Sequence, residues 1–171
     1  MVSQRSEQAL FDRFKQAAES YNVDVQRVKP PAVSETIESL LSGPTVGTPL
    51  EIPDASLPES VTTKPTSAEL EAAETGITTA SLAIADYGSV VLRATDEGSE
   101  PISLFNELHI VVLRESDIVP DMSTAFEWLG DELRESRDSA ILATGPSATA
   151  DMGALVQGAH GPKQVAVIVV T

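Results

Sequence analysis

The sequence predicts an α/β fold built on a mainly parallel, covered sheet with an antiparallel insertion. Three observations carry this expectation. Nearly continuous apolar runs at 108–113 and 165–170 read as strands buried on both faces, because a sheet with one wet face would alternate apolar with polar residues. Segments with helical spacing of apolar residues alternate with such runs, as in chains that build parallel sheets. The runs 81–85 and 89–93 flank Asp86, Tyr87 and Gly88, a turn tight enough to fold them into a hairpin.

The elements follow in order. Leu10, Phe14, Ala17, Ala18 and Tyr21 recur at helical spacing over 4–21 and predict a first helix. Val23, Val25 and Val28 alternate with polar residues as a short strand that Pro30 and Pro31 stop. Val33, Ile37, Leu40 and Leu41 then predict a second helix ending at Gly43. Five prolines among threonine, serine and glutamate make 44–65 a loop, with at most one short strand near 50–52. An acidic helix over 67–74, capped by Ser67, ends at Thr75 and Gly76. The turn-rich stretch 96–101 leads to the strand at 108–114, and Pro120 opens a helix with Met122, Ala125, Phe126, Leu129 and Leu133 on one face. A buried strand at 139–143, a helix at 149–157 and a final strand at 165–170 complete one domain over 1–171. Its parts are 1–43, a proline-rich loop at 44–66 and a motif-bearing core at 67–171.

Charge narrows the function classes. Eleven basic residues against 26 acidic ones give a net charge of −15, which argues against nucleic acid and anionic membrane surfaces as partners. Acidic residues spread along the whole length, with only Lys15, Lys29, Lys64 and Lys163 as lysines, a pattern resembling proteins of salt-accumulating halophiles. With no cysteine there is no disulfide, no thiolate nucleophile and no cysteine-ligated cluster. The charge-interrupted N-terminal segment reads as neither signal peptide nor membrane span, so a cytoplasmic location is expected.

The chemistry-bearing residues crowd into two C-terminal stretches. In 144–151, a strand ends at Thr144, Gly145 and Pro146 turn the chain, and Ser147 or Thr149 is placed to cap a helix whose free amides and Asp151 would meet a ligand. Those same residues would otherwise be an ordinary cap, with Asp151 complementing the dipole. In 158–162, His160 sits between Gly158 and Gly161, either as a proton carrier or as a turn residue bonded to backbone. Asp86, two residues before Gly88, is either a site carboxylate or a turn former, and Thr78 offers a hydroxyl near a strand end. The catalytic candidates are therefore Asp86 and His160, and the ligand-binding candidates are Thr78, Gly88, Gly145, Ser147, Thr149, Asp151, Gly158 and Gly161. His109, opening an aliphatic strand, reads as a buried histidine with a bonded ring, and two distant histidines give no metal spacing. No cofactor is expected. Neither a nucleophile elbow nor a phosphate-binding loop is present.

Taken in order, Gly76-Ile77-Thr78, 83–91, His109 to Val112, Ile118-Val119-Pro120, 144–151 and 158–162 resemble the lactate-utilization (LUD) domain family, in particular its protein C group. The resemblance covers about 75–171. It implies a fold like that of ribose-phosphate isomerases, glucosamine-phosphate deaminases and coenzyme A transferases. It also implies an accessory role in oxidising L-lactate to pyruvate beside iron–sulfur partner proteins, with a small anionic ligand, such as a carboxylate, or a partner held at the strand ends. Members of this type carry no cluster, in keeping with the missing cysteine. The chain departs from the family pattern at Ser81, Tyr87, Ala148 and Gly153, where relatives usually carry acidic, hydroxyl, basic and acidic groups respectively. These departures weaken a transfer of anion binding. The alternatives are an independent enzyme acting on a sugar phosphate or acyl-coenzyme A, and a non-catalytic interaction module; a homo-oligomer is left open.

Overall fold

The computed structural model describes residues 2–136, 138–151, 154–158 and 160–171. Its centre is a six-stranded, all-parallel sheet in the order β1-β12-β7-β4-β2-β3. These strands are β1 (Asp24–Val28), β12 (Gln164–Val170), β7 (Leu108–Arg114), β4 (Thr75–Thr79), β2 (Thr45–Gly47) and the two-residue β3 (Thr62–Thr63). A second, mixed sheet in the order β8-β5-β6-β9 contains β5 (Leu82–Ile84), β6 (Ser89–Arg93), β8 (Ile118–Val119) and β9 (Ala140–Ala143). β5 and β6 form the expected antiparallel hairpin, so the insertion is a sheet of its own stacked on the parallel one.

Alternation along the central strands builds the layers. Val165, Val167 and Val169 of β12, with Val111 and Leu113 of β7, meet Phe11, Phe14 and Ala18 of α1 (Val2–Glu19) and Ala83, Ala85, Val90 and Leu92 of the second sheet. Ala166, Ile168 and Val170, with Ile110 and Val112, face the other way onto Val33 and Ile37 of α2 (Val33–Leu40). The proline-rich loop closes the same side, because Leu50, Ile52, Leu57 and Val61 pack against that cluster. The outer face of the second sheet is covered by Ala125 and Leu129 of α5 (Met122–Ser136). Both faces of the parallel sheet are thus dry, which is why its strands are continuously apolar.

Several sequence expectations need correction. The segment 149–157 is no helix: β10 (Ala148–Asp151) and β11 (Ala154–Gln157) pair antiparallel, so Thr149 faces Val156 across a ladder. Met152 and Gly153 lie outside the described residues. The strand expected near 50–52 lies earlier, at β2, where Thr45 to Gly47 are buried beside β4. Helix α2 stops at Leu40, short of Gly43. The stretch 96–101 contains the start of α4 (Ser99–Leu104), with Gly98 at its N-cap in the left-handed region at φ 81°. β9 is half-buried with Leu142 exposed: Ile141 and Ala143 pack on one core cluster and Ala140 on the cluster under α5.

The cap of α3 (Ser67–Ala72) is Thr66, one residue before the expected Ser67. Thr66 Oγ1 accepts the Glu69 amide while the Glu69 carboxylate accepts the Thr66 amide at 2.8 Å, a reciprocal pair that satisfies two otherwise free donors. Thr66→Ala is expected to cost about 1 kcal/mol in chemical denaturation. Ser67→Ala should change stability by less than half of that, and the reverse order would return the cap to Ser67.

Candidate functional site

The two motif stretches come together at the amino-terminal ends of β7 and β12. Thr144 to Ala148 leaves β9, and His160 to Pro162 leads into β12; between them and the sheet lies a cavity of about 330 Å³. Gly88, Gly145, Ser147, His160 and Gly161 line it, so five of the ten candidate residues share one wall system. Its floor is His109 with Val111, Val165 and Val167 of the parallel sheet. Thr144 follows the carboxyl end of β9 in the second sheet, and the cavity sits at the amino-terminal pole of the parallel strands.

Backbone bonding explains how the loops hold their shape. The Ser147 amide donates to Pro162 O at 2.8 Å, and the Gly158 amide donates to Ser147 O at 2.9 Å. These bonds knit the two motif loops together. A helix start with open amides, the arrangement the sequence favours for an anion, is replaced by a hairpin whose donors already have partners. Ser89 Oγ and Thr144 Oγ1, 2.6 Å apart, join the loop to β6. A Cβ on Gly161 would lie 3.0 Å from Ser147 Cβ, so the small residue lets the loops touch.

The remaining candidates stand apart from the cavity wall. Asp86 pairs with Arg13 Nε at 3.1 Å, and Arg13 also donates to Pro120 O at 2.8 Å, so this carboxylate ties α1 to the β5–β6 turn. It does not line the cavity with His160. Thr149 lies in β10, and Asp151 is placed at the end of that strand, its side chain being outside the described residues, as is Ala159. Gly158 borders Lys163, whose ammonium pairs with Glu107 at 2.6 Å.

Thr78 is fully buried, and its Oγ1 lies 2.8 Å from His109 Nε2 just behind the floor. His109 is 2% exposed, and burial pulls its pKa from 6.5 down to about 4, so the floor is a neutral imidazole at pH 7. The bonded core histidine expected from sequence is what the fold contains.

Chemically, the cavity mixes aliphatic side chains with hydroxyls, two imidazoles and loop backbone. Its titratable lining is the two imidazoles, and no lysine or arginine lines it among the described residues. An anion here would meet no fixed positive charge. Leu104 and Leu142 of its wall are 40% and 39% exposed, Tyr21 against Gly145 is 50% exposed, and Phe105 beside Leu104 is 70% exposed. Exposed apolar side chains grouped about a cavity mark recognition surfaces more often than isolated ones do. Among the described residues no group of three or more His, Cys, Asp or Glu is placed to hold a metal ion, and no helix is long and apolar enough to cross a membrane.

Comparison with known proteins places these features in a lineage. Residues 48–170 match the LUD domain. Lactate utilization protein C of Deinococcus radiodurans is 37% identical over 105 residues, 60% of this chain and 49% of that protein. The protein of the same name from Bacillus subtilis is 32% identical over 145 residues, 79% of this chain and 57% of that protein. This chain spans about half the length of the curated relatives it matches. The crystal structure of a DUF162 family protein from Deinococcus radiodurans superposes with a TM-score of 0.74 at 24% identity, covering 96% of this chain and 98% of that one. Its likeness bears on the fold.

Proposed function

Because this chain belongs to the LUD domain family, with relatives named for lactate utilization, we propose that it is an accessory component of L-lactate oxidation that docks an iron–sulfur partner protein over the cavity between Gly145 and Gly161. One observation carries the reading: the cavity formed by the family motifs has no lysine or arginine in its described lining, and Leu104 and Leu142 in its wall are exposed, with exposed Tyr21 packed against Gly145. A protein surface with apolar anchors suits such a rim better than a small carboxylate, which would lose hydration without gaining a cation. Redox chemistry falls to the partner, since this chain has no cysteine to hold a cluster.

Deletion of the gene is expected to stop growth on L-lactate while sparing growth on glucose. Wild-type protein restores growth. Leu142→Glu should not, and should weaken capture of the co-expressed iron–sulfur proteins by at least about tenfold, the loss typical of an interface anchor. Leu142 is exposed on β9, so the variant is expected to fold with an unchanged circular dichroism spectrum. Normal growth of the deletion strain, or full rescue by Leu142→Glu, overturns the proposal. If lactate or pyruvate raises the thermal midpoint and Ser147→Ala removes that rise, the small-anion alternative replaces it.

A further inference from the structure

The edges of the two larger sheets are closed unequally. In the parallel sheet the outer edge of β1 is guarded, because Lys15 Nζ donates to the Val25 carbonyl at 3.1 Å, and the opposite edge, β3, is only two residues long. In the second sheet β8 is also two residues long and lies against α1. The remaining edge is β9, with four residues, Ala140-Ile141-Leu142-Ala143. Its ladder shows which groups it leaves open. The Ala94 amide donates to Ser139 O at 2.9 Å, so Leu92 with Ile141 and Val90 with Ala143 are the pairs that exchange hydrogen bonds. The N–H and C=O groups of Ala140 and Leu142 therefore point away from β6, and none of the four has a partner among the described residues. An open edge of this kind is a template for another strand unless charge or proline blocks it. Residues 139–150 contain no charged residue, although 22% of the chain is charged.

Three features fit this edge to a second copy of itself. Set antiparallel, Ala140 of each copy faces Leu142 of the other, and the two pairs make four hydrogen bonds that satisfy all the open groups of both copies. Such an interface is isologous, as a two-fold axis requires. Charge selects the same contact: two molecules of net charge −15 repel, and they meet at least cost where neither presents a carboxylate. A basic partner would be drawn to carboxylates that this segment lacks. Four hydrogen bonds alone make too small a contact, but the surroundings enlarge it. Of the seven large apolar side chains exposed among the described residues, five gather here: Leu142, Leu104 in the cavity wall, Phe105 beside it, Tyr21 against Gly145, and Val156 on the β10–β11 hairpin.

We propose that two copies of this chain pair through β9, joining their four-stranded second sheets into one of eight strands. This goes beyond the docking reading and shares its surface. A second copy and a docked protein exclude each other, so the pair is the form that the chain takes alone.

Light scattering of the purified full chain, with no other protein present, should give twice the 18.1 kDa of one copy at about 100 μM, enough to populate a pair of micromolar Kd. The paired fraction should rise between about 0.1 M and 1 M NaCl, as screening removes repulsion between like-charged copies. By NMR, amide exchange of Ala140 and Leu142 should slow as protein concentration rises, while that of Ile141 and Ala143, already bonded to β6, should not respond. Ala140→Pro removes an outward donor and leaves the β6 ladder intact. It should raise the Kd of the pair at least about tenfold, since each copy loses one hydrogen bond, with an unchanged circular dichroism spectrum. The exchange measurement needs no variant. A monomer under all these conditions overturns the inference. So does a pair that salt weakens, that leaves exchange at Ala140 and Leu142 unaltered, or that Ala140→Pro leaves intact. Protection of those two amides only when the iron–sulfur proteins are added would give the edge to them instead, and also overturns it. None of these results depends on growth on lactate, so this inference and the docking proposal fail separately.

Discussion

Gly88→Ala is expected to destabilise the fold by at least about 3 kcal/mol, the sum of an overpacked contact and a left-handed residue given a side chain. Gly88 sits at φ 61° in the β5–β6 turn, directly beneath the last turn of α1. A Cβ there would stand 2.6 Å from Ala18 Cα and 2.7 Å from the Ala17 carbonyl carbon, and both are helix backbone, which cannot rotate aside. Relief requires α1 to lift from the core that Phe11, Phe14 and Ala18 fill. In thermal unfolding the loss corresponds to a midpoint lower by roughly 6–12 °C for a domain of this size. A residue present only to admit a ligand would leave the midpoint in place and alter binding alone. A cost below about 1 kcal/mol, within the scatter of ordinary substitutions, would therefore return Gly88 to the ligand-binding set.

Acid should act on the fold through His109. The unfolded chain binds a proton on this imidazole below pH 6.5, whereas burial delays protonation in the folded protein to about pH 4. Between those values the unfolded state holds more protons, so stability falls as pH falls, by about 3 kcal/mol in total. Above pH 6.5 this contribution is fully present and flat. His109→Gln keeps a hydrogen-bonding side chain beside Thr78 while removing the titration. Chemical denaturation of both proteins at pH 7 and pH 4 should show the wild type losing about 3 kcal/mol more than the variant. The acidic residues common to both proteins cancel in that difference. Parallel losses would show that protonation of His109 is not coupled to unfolding.

How far the sequence reveals this molecule depends on whether local preference and tertiary context agree. They agree in β7 and β12, where continuous apolar residues meet two dry faces. They agree in α1, whose apolar stripe lands on the core. In β4 the strand is written in threonine and glycine, Thr75-Gly76-Ile77-Thr78-Thr79, which carries little hydropathy signal although most of it is buried. Its missing identity also hid a cleft that Thr79 borders, where one threonine ends β4 and another, Thr48, follows β2.

The segment 148–157 misleads for the opposite reason. Ala148, Ala150, Ala154 and Leu155 favour helix locally, while pairing between Thr149 and Val156 and bonding to the Pro162 carbonyl through Ser147 favour the hairpin. α4 was masked by Gly98 and Pro101, turn residues that also serve at a cap and in a first helical turn. Of the candidates, Gly145, Ser147, His160 and Gly161 meet at one cavity, and Gly88 joins them there. Asp86 escaped that grouping because its partner, Arg13, lies 73 positions earlier on another element.

The placement of β12 between β1 and β7 also sets the order in which the protein can be made. Asp24 to Val28 forms its ladder only with Ala166 to Val170. Such a pairing has high sequence separation, and loop closure on that scale slows folding. As the chain leaves the ribosome, β1 emerges early and has no strand to join until more than a hundred further residues have followed it. Throughout that interval its apolar residues Val23 and Val25 and the facing side of α1 have no sheet to cover them. The nascent protein is therefore exposed to chaperones and to aggregation until β12 has been made, and the central sheet closes only once that strand has emerged.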